Sequence, residues 1–325
     1  MMPPDAGTVI GGRYKIVKLL GQGGYAGTYL AEDLRKNRRV ALKLPNLNEL
    51  GDPAVYERFK RELSIGRILQ HPDLFVAIDS SEGNPPYLVF NYIENKSLAA
   101  MLENHELFPV KQTVEMVASL LDALEYCHRK GVCHRDIKPE NLMVGSDGHL
   151  KVIDFGIAVT SSSPRVTWRG FSGLVGTPEY MSPEQIKGER GNEQSDIYAV
   201  GCLLYNMIAG YPPYSGDNPM TVMYQHLTSQ PKLLTEINPK IHPGIWAAVC
   251  RAMRRRKNER YATAAEMAED LRNLDGVDMK YASMPDPPMV AVAQSRHFNK
   301  VLWIVIGVIA VAAVLFGILL YYLHR

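Results

Sequence analysis

Four polar residues in one short stretch, CHRDIKPENLMVGSDGHLKVIDFG, have the types and spacing of a phosphate-handling site. The segments LMV and HLKVI are predicted strands, and GSDG between them is a predicted turn. Folding this hairpin places Asn141, just before the first strand, beside Asp154, just after the second. Two oxygen ligands at one open end suit Mg²⁺ bound to phosphate groups.

The same loop offers groups that act on an acceptor and on a phosphoryl group. Asp136 lies shortly before Asn141, so the loop can aim a carboxylate at a hydroxyl. Lys138 adds a positive charge for the transferred group. Any one of these residues alone would be an ordinary residue of a surface loop. Their combination predicts phosphoryl transfer.

A glycine-rich segment, GQGGYAGTY at residues 21–29, is the second chemical feature. A G-x-G-x-x-G spacing that starts at Gly21 requires a third glycine at position 26, but Ala26 stands there and the glycine follows at Gly27. Strand patterns on both sides exclude a dinucleotide-binding fold, which needs a helix directly after the glycines. The segment by itself fits a structural turn as well as a nucleotide flap.

A lysine and a glutamate follow on predicted inward faces. Lys43 lies in the apolar strand VALKL, where an ammonium is costly to bury without an anion. Glu62 falls on the inward stripe of a helix predicted to start at Pro53. The two side chains either pair with each other, or Glu62 pairs locally with Arg58 while the Lys43 ammonium reaches solvent. The local pattern leaves both alternatives open.

Taken together, these motifs resemble the eukaryotic-type (Hanks-type) protein kinases, and in particular the bacterial transmembrane serine/threonine kinases. The resemblance covers residues 14–274 and also includes GTPEYMSPE and SDIYAVGCLLY. It implies an α+β, bilobal protein-kinase fold after an N-terminal segment 1–13. The N-lobe (about 14–93) is an antiparallel β-sheet with one main helix, and the C-lobe (about 94–274) is mostly helical.

The resemblance also implies a role for each matching residue. Asp136 and Lys138 are the expected catalytic residues, and Asn141 and Asp154 the metal ligands. Expected ATP-binding residues are Leu20, Gly21, Gln22, Gly23, Gly24, Thr28, Ala41, Lys43, Glu62, Phe90, Asn91, Ile93 and Leu142. Thr28 stands where the family usually has valine, which softens the contact with the base. Residues expected to be structural are His134, Arg135, Phe155, Gly156, Glu184, Asp196 and Arg260.

The implied activity is transfer of the ATP γ-phosphate to Ser/Thr hydroxyls of protein substrates, with Mg²⁺ or Mn²⁺. Lys138 together with Thr177 indicates the serine/threonine branch. Activation-loop autophosphorylation is expected at Thr167 or Ser172, and Thr177 is a further candidate phosphosite. The alternative is a catalytically weak pseudokinase that serves as a membrane-bound nucleotide- or protein-binding scaffold. The full set of implied catalytic residues favours an active enzyme.

Composition bounds the partners and the redox state. The chain has 325 residues, with 36 basic against 34 acidic side chains, so the bulk charge indicates no nucleic-acid partner. Its four cysteines have no metal-ligand spacing, which predicts reduced thiols. The densest basic run, RAMRRRKNER at 251–260, is predicted to be a solvated face, with attraction to anionic lipid headgroups as the less favoured alternative.

The C-terminal segments are predicted to attach the kinase to a membrane. Residues 275–299 are proline-rich at their centre and are predicted to be a juxtamembrane linker. Residues 300–323 carry no charge after Lys300 and are predicted to be a transmembrane helix, which leaves 324–325 outside the cytoplasm. We therefore expect a single-pass protein of the plasma membrane with a cytoplasmic kinase domain. Ala313 and Gly317 form a small-xxx-small pair, a hint of homodimerisation.

Overall fold

The computed structural model describes residues 4–22, 26–46, 53–81, 83, 86–94, 96–155, 159–160 and 178–289. Residues up to Asp286 form one unit, and Pro287–Arg325 form another. No helix within the described ranges is long and apolar enough to cross a bilayer. The predicted features that lie outside the described residues are Gly23, Gly24, Gly156, Thr167, Ser172, Thr177, the end of the linker, and the transmembrane and extracytoplasmic segments.

The N-terminal part of the chain forms an antiparallel sheet. Among the described residues its strands are β1 (Val9–Ile10), β2 (Tyr14–Gln22), β3 (Ala26–Asp33), β4 (Arg38–Pro45), β5 (Asp79–Ser81) and β6 (Tyr87–Asn91). They pair in the order β1-β2-β3-β4-β6-β5. Because strand side chains alternate between two faces, Tyr14, Ile16, Val40 and Leu42 meet in one buried cluster.

One long helix, α1 (Pro53–Ile68), follows β4 and begins at the predicted proline. Leu63 forms a small buried cluster with Leu88 of β6. Ile65 and Leu69 belong instead to the main core of the C-terminal part. The end of the helix therefore connects the sheet with the helical lobe, and Glu62 is buried at this junction.

The C-terminal part is mostly helical. Its helices are α2 (Leu98–Glu103), α3 (Val110–Arg129), α4 (Pro183–Ile186), α5 (Glu193–Ala209), α6 (Pro219–Thr228), α7 (Leu234–Ile237), α8 (Pro243–Ala252), α9 (Ala264–Arg272) and α10 (Lys280–Ser283). In the described part of this lobe, four short strands accompany them: β7 (Val132–Cys133), β8 (Leu142–Val144), β9 (Leu150–Val152) and β10 (Val159–Thr160). The central helix α5 packs against α3 and α8. The predicted bilobal α+β fold is therefore confirmed for the described residues.

The four cysteines are free thiols, as predicted. Cys127, Cys133 and Cys202 are buried, and Cys250 is half-buried. Burial raises the pKa of each thiol, because a thiolate loses its hydration in an apolar core. These thiols act as small apolar residues of the core.

The basic run at 251–260 is only in part the solvated face that the sequence predicted, since Arg256 and Lys257 are exposed but other arginines of the run are buried. Arg254 and Arg255 are each only 2% exposed, and Arg260 is 4% exposed. Arg254 donates to the carbonyl oxygens of Met284 and Pro285, and both Arg254 and Arg255 pair with the Asp286 carboxylate. Guanidinium groups tolerate burial here because fixed acceptors satisfy most of their donors, although the Arg255 Nε atom has no partner among the described residues.

Part of the predicted linker belongs to the first structural unit. Residues 275–286 were predicted to be linker, but α10 packs against α8 and Val277 is 5% exposed. The Arg251 guanidinium lies over the Tyr281 ring, 5.1 Å from its centroid. The structural unit therefore extends past residue 274 to Asp286.

A buried ion pair connects distant segments of the C-terminal part. Arg260 and Glu184 form two parallel hydrogen bonds of 2.7 Å, and Ser195 donates to the same carboxylate at 2.6 Å. Burial alone would raise the pKa of Glu184, but Arg260 and Ser195 outweigh it and lower the pKa to about 2. Both residues were expected to be structural, and the structure brings their side chains together.

We predict that Glu184→Gln destabilises the chain by about 3 kcal/mol at neutral pH, because it leaves the Arg260 guanidinium buried without its charge partner. The folded pKa lies below the ordinary value of 4.5, so the stabilisation is present above pH 4.5 and is lost as the pH falls towards 2. Urea unfolding at a series of pH values should show the gap between wild type and variant closing over this range.

Glu189→Gln is the matched control, since Glu189 and Lys257 are 3.8 Å apart and each about half exposed. Its unfolding free energy should change by less than about 0.5 kcal/mol. Equal losses in the two variants, or a gap that does not depend on pH, would contradict the assigned role of the buried pair.

Candidate active site

The hairpin of β8 and β9 has the predicted form and carries the site at its open end. Leu142 pairs with Val152, and the amide of Ile153 donates to the carbonyl oxygen of Asn141 at 2.9 Å. Asn141 therefore lies just before the start of β8, next to the end of β9, from which the chain continues to Asp154. Asp154 has a positive φ of 65°, a conformation that is costly for a residue with a Cβ and is common at functional sites.

Asp136 is held by two neighbours in its own loop. The Asn141 amide nitrogen donates to the Asp136 carbonyl oxygen at 2.7 Å and to its carboxylate at 2.9 Å. The Lys138 ammonium lies 3.0 Å from the same carboxylate. Asp136 remains 35% exposed, so a hydroxyl from outside can reach it.

Asp196 of α5 fixes the backbone of this loop through hydrogen bonds. The amides of His134 and Arg135 donate to its two carboxylate oxygens at 2.9 and 2.6 Å, and His128 Nε2 lies 2.8 Å away. Burial raises the pKa of Asp196, but His128 and these amides outweigh that effect and lower it. The carboxylate therefore stays ionised and keeps Arg135 at its positive φ of 68°.

Lys43 of β4 connects the two halves of the site. Its ammonium lies 2.8 Å from Glu62 of α1 and 3.0 Å from Asp154. Burial lowers the pKa of Lys43, but the two carboxylates outweigh it and raise the pKa above its usual value. Burial also raises the pKa of the Glu62 carboxyl, and Lys43 opposes that rise. The structure thus decides between the two alternatives in favour of the Lys43–Glu62 pair.

The remaining described residues of the predicted ATP-binding set lie mainly on β2, β3, β4, β6 and β8. Ala41 pairs with Phe90 across β4 and β6, and Asn91 with Val40. Phe90 is half-buried against Leu63 and Leu88. Leu142 is fully buried at the start of β8. The other described members of the predicted ATP-binding set are at least partly exposed, namely Leu20, Gly21, Gln22, Thr28, and Ile93.

The displaced glycine has a structural explanation. Ala26 is the first residue of β3 and is extended, a conformation that alanine adopts without strain. Gly27 is the position where the packing favours a glycine, because a Cβ there would lie 2.9 Å from the ring of the buried Tyr29. The register shift therefore follows the side-chain packing of the flap.

His134 and Phe155 pack together, as the sequence analysis expected of structural residues. Their rings are 4.9 Å apart in an edge-to-face arrangement, and both are almost fully buried. The contact joins the loop that carries Asp136 to the segment that carries Asp154. The catalytic loop and the predicted metal ligand are therefore positioned against each other.

Two side-chain oxygen atoms could serve as ligands of a divalent cation at this site. The Asn141 amide nitrogen is used twice by Asp136, so its Oδ1 atom is left as an acceptor. Asp154 contributes a carboxylate that is 46% exposed and uses one oxygen for Lys43. A carboxylate and an amide oxygen are hard ligands that suit Mg²⁺ on a nucleotide.

A second carboxylate cluster was not anticipated. Asp73, Asp147 and His149 offer metal-ligand atoms close to one another. The Lys151 ammonium, however, lies 2.5 Å from Asp73 and 2.6 Å from Asp147, so a cation already sits between the two carboxylates. The cluster surrounds the turn of the β8–β9 hairpin, at the opposite end from Asn141. It does not belong to the phosphate site.

Other supporting residues were missed because their partners are distant in sequence. His128 reaches Asp196 from the end of α3, and the Gln185 side chain donates to the Arg135 carbonyl oxygen at 2.9 Å. A lone histidine near a helix end and a glutamine in a short helix give no recognisable motif. Only the spacing of His128 ahead of HRD could have drawn attention to it.

Comparison with known proteins identifies the family. The protein kinase domain family matches residues 14–271. A probable serine/threonine-protein kinase of Streptomyces coelicolor is 38% identical over 273 residues, which is 82% of this chain and 41% of the relative. Serine/threonine-protein kinase PknB of Mycobacterium leprae is 36% identical over 290 residues, covering 87% of this chain and 46% of the relative.

The Mycobacterium tuberculosis PknB is 34% identical over 291 residues, again 87% of this chain but 45% of the relative. The chain thus spans less than half the length of these curated relatives. The match covers both lobes and every described element of the site. The chain belongs to the protein kinase family, and the predicted resemblance to bacterial Hanks-type serine/threonine kinases is confirmed.

Proposed function

We propose that the chain is an active serine/threonine protein kinase that transfers the γ-phosphate of ATP to protein hydroxyls. The observation that carries this proposal is the contact set in which Lys43 joins Glu62 to Asp154 while Asn141 and Lys138 hold Asp136. A binding scaffold has no need to keep all these groups in contact. The names of the relatives support the serine/threonine class.

The nucleotide side of the mechanism rests on charge placement. An ammonium has three protons, and Glu62 and Asp154 receive two of those of Lys43, which leaves the third for the α and β phosphates. Asn141 and Asp154 would hold Mg²⁺, which neutralises the phosphate charge when bound. Ala41, Leu142 and the β6 segment at Phe90 and Asn91 would enclose the adenine.

The acceptor side rests on Asp136 and Lys138. The Asp136 carboxylate would orient the acceptor hydroxyl and take its proton as the oxygen attacks the γ-phosphorus, while the bond from that phosphorus to the β,γ-bridging oxygen breaks and ADP leaves. Lys138, 3.0 Å from that carboxylate, is close enough to stabilise the charge on the transferred group. Phosphoryl transfer needs little more from a protein, because positioning and charge neutralisation supply most of the rate.

We predict that Asp136→Asn lowers phosphate incorporation from [γ-³²P]ATP into a Ser/Thr peptide by about 100-fold or more, because the amide cannot accept the hydroxyl proton. ATP binding, followed by a fluorescent nucleotide, should stay near the wild-type level. Asp147→Asn makes the same chemical change at the far end of the hairpin and should keep most of the activity. Equal rates for wild type and Asp136→Asn would contradict catalysis by Asp136.

Autophosphorylation of the activation loop is part of the same proposal. Arg135 lies next to Asp136, and in related kinases such an arginine pairs with a phosphate on this loop. The candidate acceptors Thr167 and Ser172 lie outside the described residues. Peptide mapping after incubation with ATP is expected to find phosphate at one of them, and none in Asp136→Asn. Phosphate at neither position in the wild type would contradict the proposal.

Membrane attachment is proposed on the sequence of residues 300–323. This stretch is apolar and uncharged after Lys300, and its length suits a bilayer. The full chain is expected to stay in the membrane pellet after alkaline carbonate extraction. Val308→Arg combined with Val314→Arg should release it, because each central arginine costs about 3 kcal/mol on insertion. Gln294→Arg, outside the stretch, is the control. Release of the wild type would contradict a transmembrane anchor.

A further inference from the structure

A buried histidine next to the acceptor side of the site has no role in the mechanism above. His226 lies in the last turn of α6 and is 0% exposed. The Tyr198 hydroxyl of α5 lies 2.7 Å from its Nδ1 atom. The Tyr214 ring packs edge-to-face against the imidazole with centroids 4.7 Å apart. A polar ring in this position needs an explanation, since an apolar residue would fill the space at lower cost.

The segment that faces His226 is Pro178–Tyr180, a single helical turn that follows residue 177. Helix α6 packs against this turn, and the backbone carbonyls of Pro178 and Glu179 approach the imidazole. On the other side, Asn206 of α5 donates to the Tyr180 hydroxyl at 2.5 Å. The turn is thus held between α5 and α6.

This turn lies beside the catalytic loop. The Glu179 and Tyr180 side chains both experience the charge of Glu140, which lies between Lys138 and Asn141. Gln185, in the helix that follows the turn, bonds to the Arg135 carbonyl oxygen. The turn is therefore joined, through Gln185 and Arg135, to the loop that carries Asp136 and would receive the acceptor hydroxyl.

We propose that His226 is a positioning residue of the acceptor site. Tyr198 holds the imidazole, and the imidazole holds the backbone of Pro178–Tyr180, over which the protein substrate would bind. The inference deepens the proposed kinase function and rests on it. In this arrangement a neutral imidazole uses each of its two nitrogen atoms for a different partner. Nδ1 accepts from the Tyr198 hydroxyl, and Nε2 carries its proton towards the carbonyls of Pro178 and Glu179.

The protonation state agrees with this arrangement. Burial lowers the pKa of His226 to about 3, because an imidazolium would lose its hydration between two tyrosine rings. A neutral imidazole has one donor and one acceptor. Among the described residues, Nε2 has no hydrogen bond of good geometry, so the carbonyls of the turn are the partners that its proton can satisfy.

The test compares two substitutions of His226 in the full chain. His226→Phe keeps a ring against Tyr214 but removes both nitrogen atoms, and is expected to raise the KM for a Ser/Thr peptide by about fivefold or more. The KM for ATP should stay within about twofold, since Lys43 and its partners are untouched. His226→Gln retains a donor for the carbonyls and should restore the peptide KM to within about twofold of wild type.

Val222→Ala is the matched control, because Val222 is 2% exposed on the same helix and its truncation loosens α6 without removing a polar group. It should lower Tm without changing the peptide KM. A peptide KM that rises equally in Val222→Ala and His226→Phe, or no rescue by His226→Gln, would overturn the proposal, because α6 packing alone would then explain the effect.

Hydrogen exchange separates this inference from the proposed kinase function. The amides of Glu179 and Tyr180 are expected to exchange about tenfold faster in His226→Phe than in wild type, a result that does not require catalysis. Unchanged exchange would overturn the positioning role even in an active kinase. Faster exchange in a chain that transfers no phosphate would support the positioning role and reject the kinase function.

Discussion

The position of the catalytic loop depends on one buried carboxylate. Asp196 is fully buried, and an ionised carboxylate in such a place is tolerated only when donors surround it. His128 and the amides of His134 and Arg135 supply those donors. Arg135 is consequently kept in a left-handed conformation that an arginine does not favour. The direction of the next residue, Asp136, follows from that conformation.

Helix α5 also holds other segments in place through hydrogen bonds of its side chains. Near the start of α5, Ser195 donates a hydrogen bond to Glu184, and near its end Asn206 donates one to Tyr180. Tyr198, between them, reaches His226 of α6. The helix is buried on all sides over residues 195–207, so its side chains have little freedom to shift. One rigid element therefore positions both the loop that carries Asp136 and the turn Pro178–Tyr180.

Local patterns predicted the features whose partners are near in sequence or whose faces alternate regularly. The β8–β9 hairpin follows from two apolar runs and a glycine turn, and the inward Glu62 from helical spacing. Arg254 and Arg255 were misread because their acceptors at Met284–Asp286 come some thirty residues later, which a local run of basic residues cannot indicate. Ala26 looked like a defect because a motif template fixes glycine positions, whereas the packing of Tyr29 favours the glycine at Gly27.

The two halves of the site differ in how firmly they are held. The acceptor half rests on hydrogen bonds in a dry core, where an unpaired group would be costly. The nucleotide half depends on the Lys43 ammonium, which contacts Glu62 on one element and Asp154, nearly half exposed, on another. Contacts between charges at a partly solvated boundary are weaker and easier to break. A rearrangement that moves α1 or the Asp154 segment would therefore break the Lys43 contacts first and leave the framework of α5 in place.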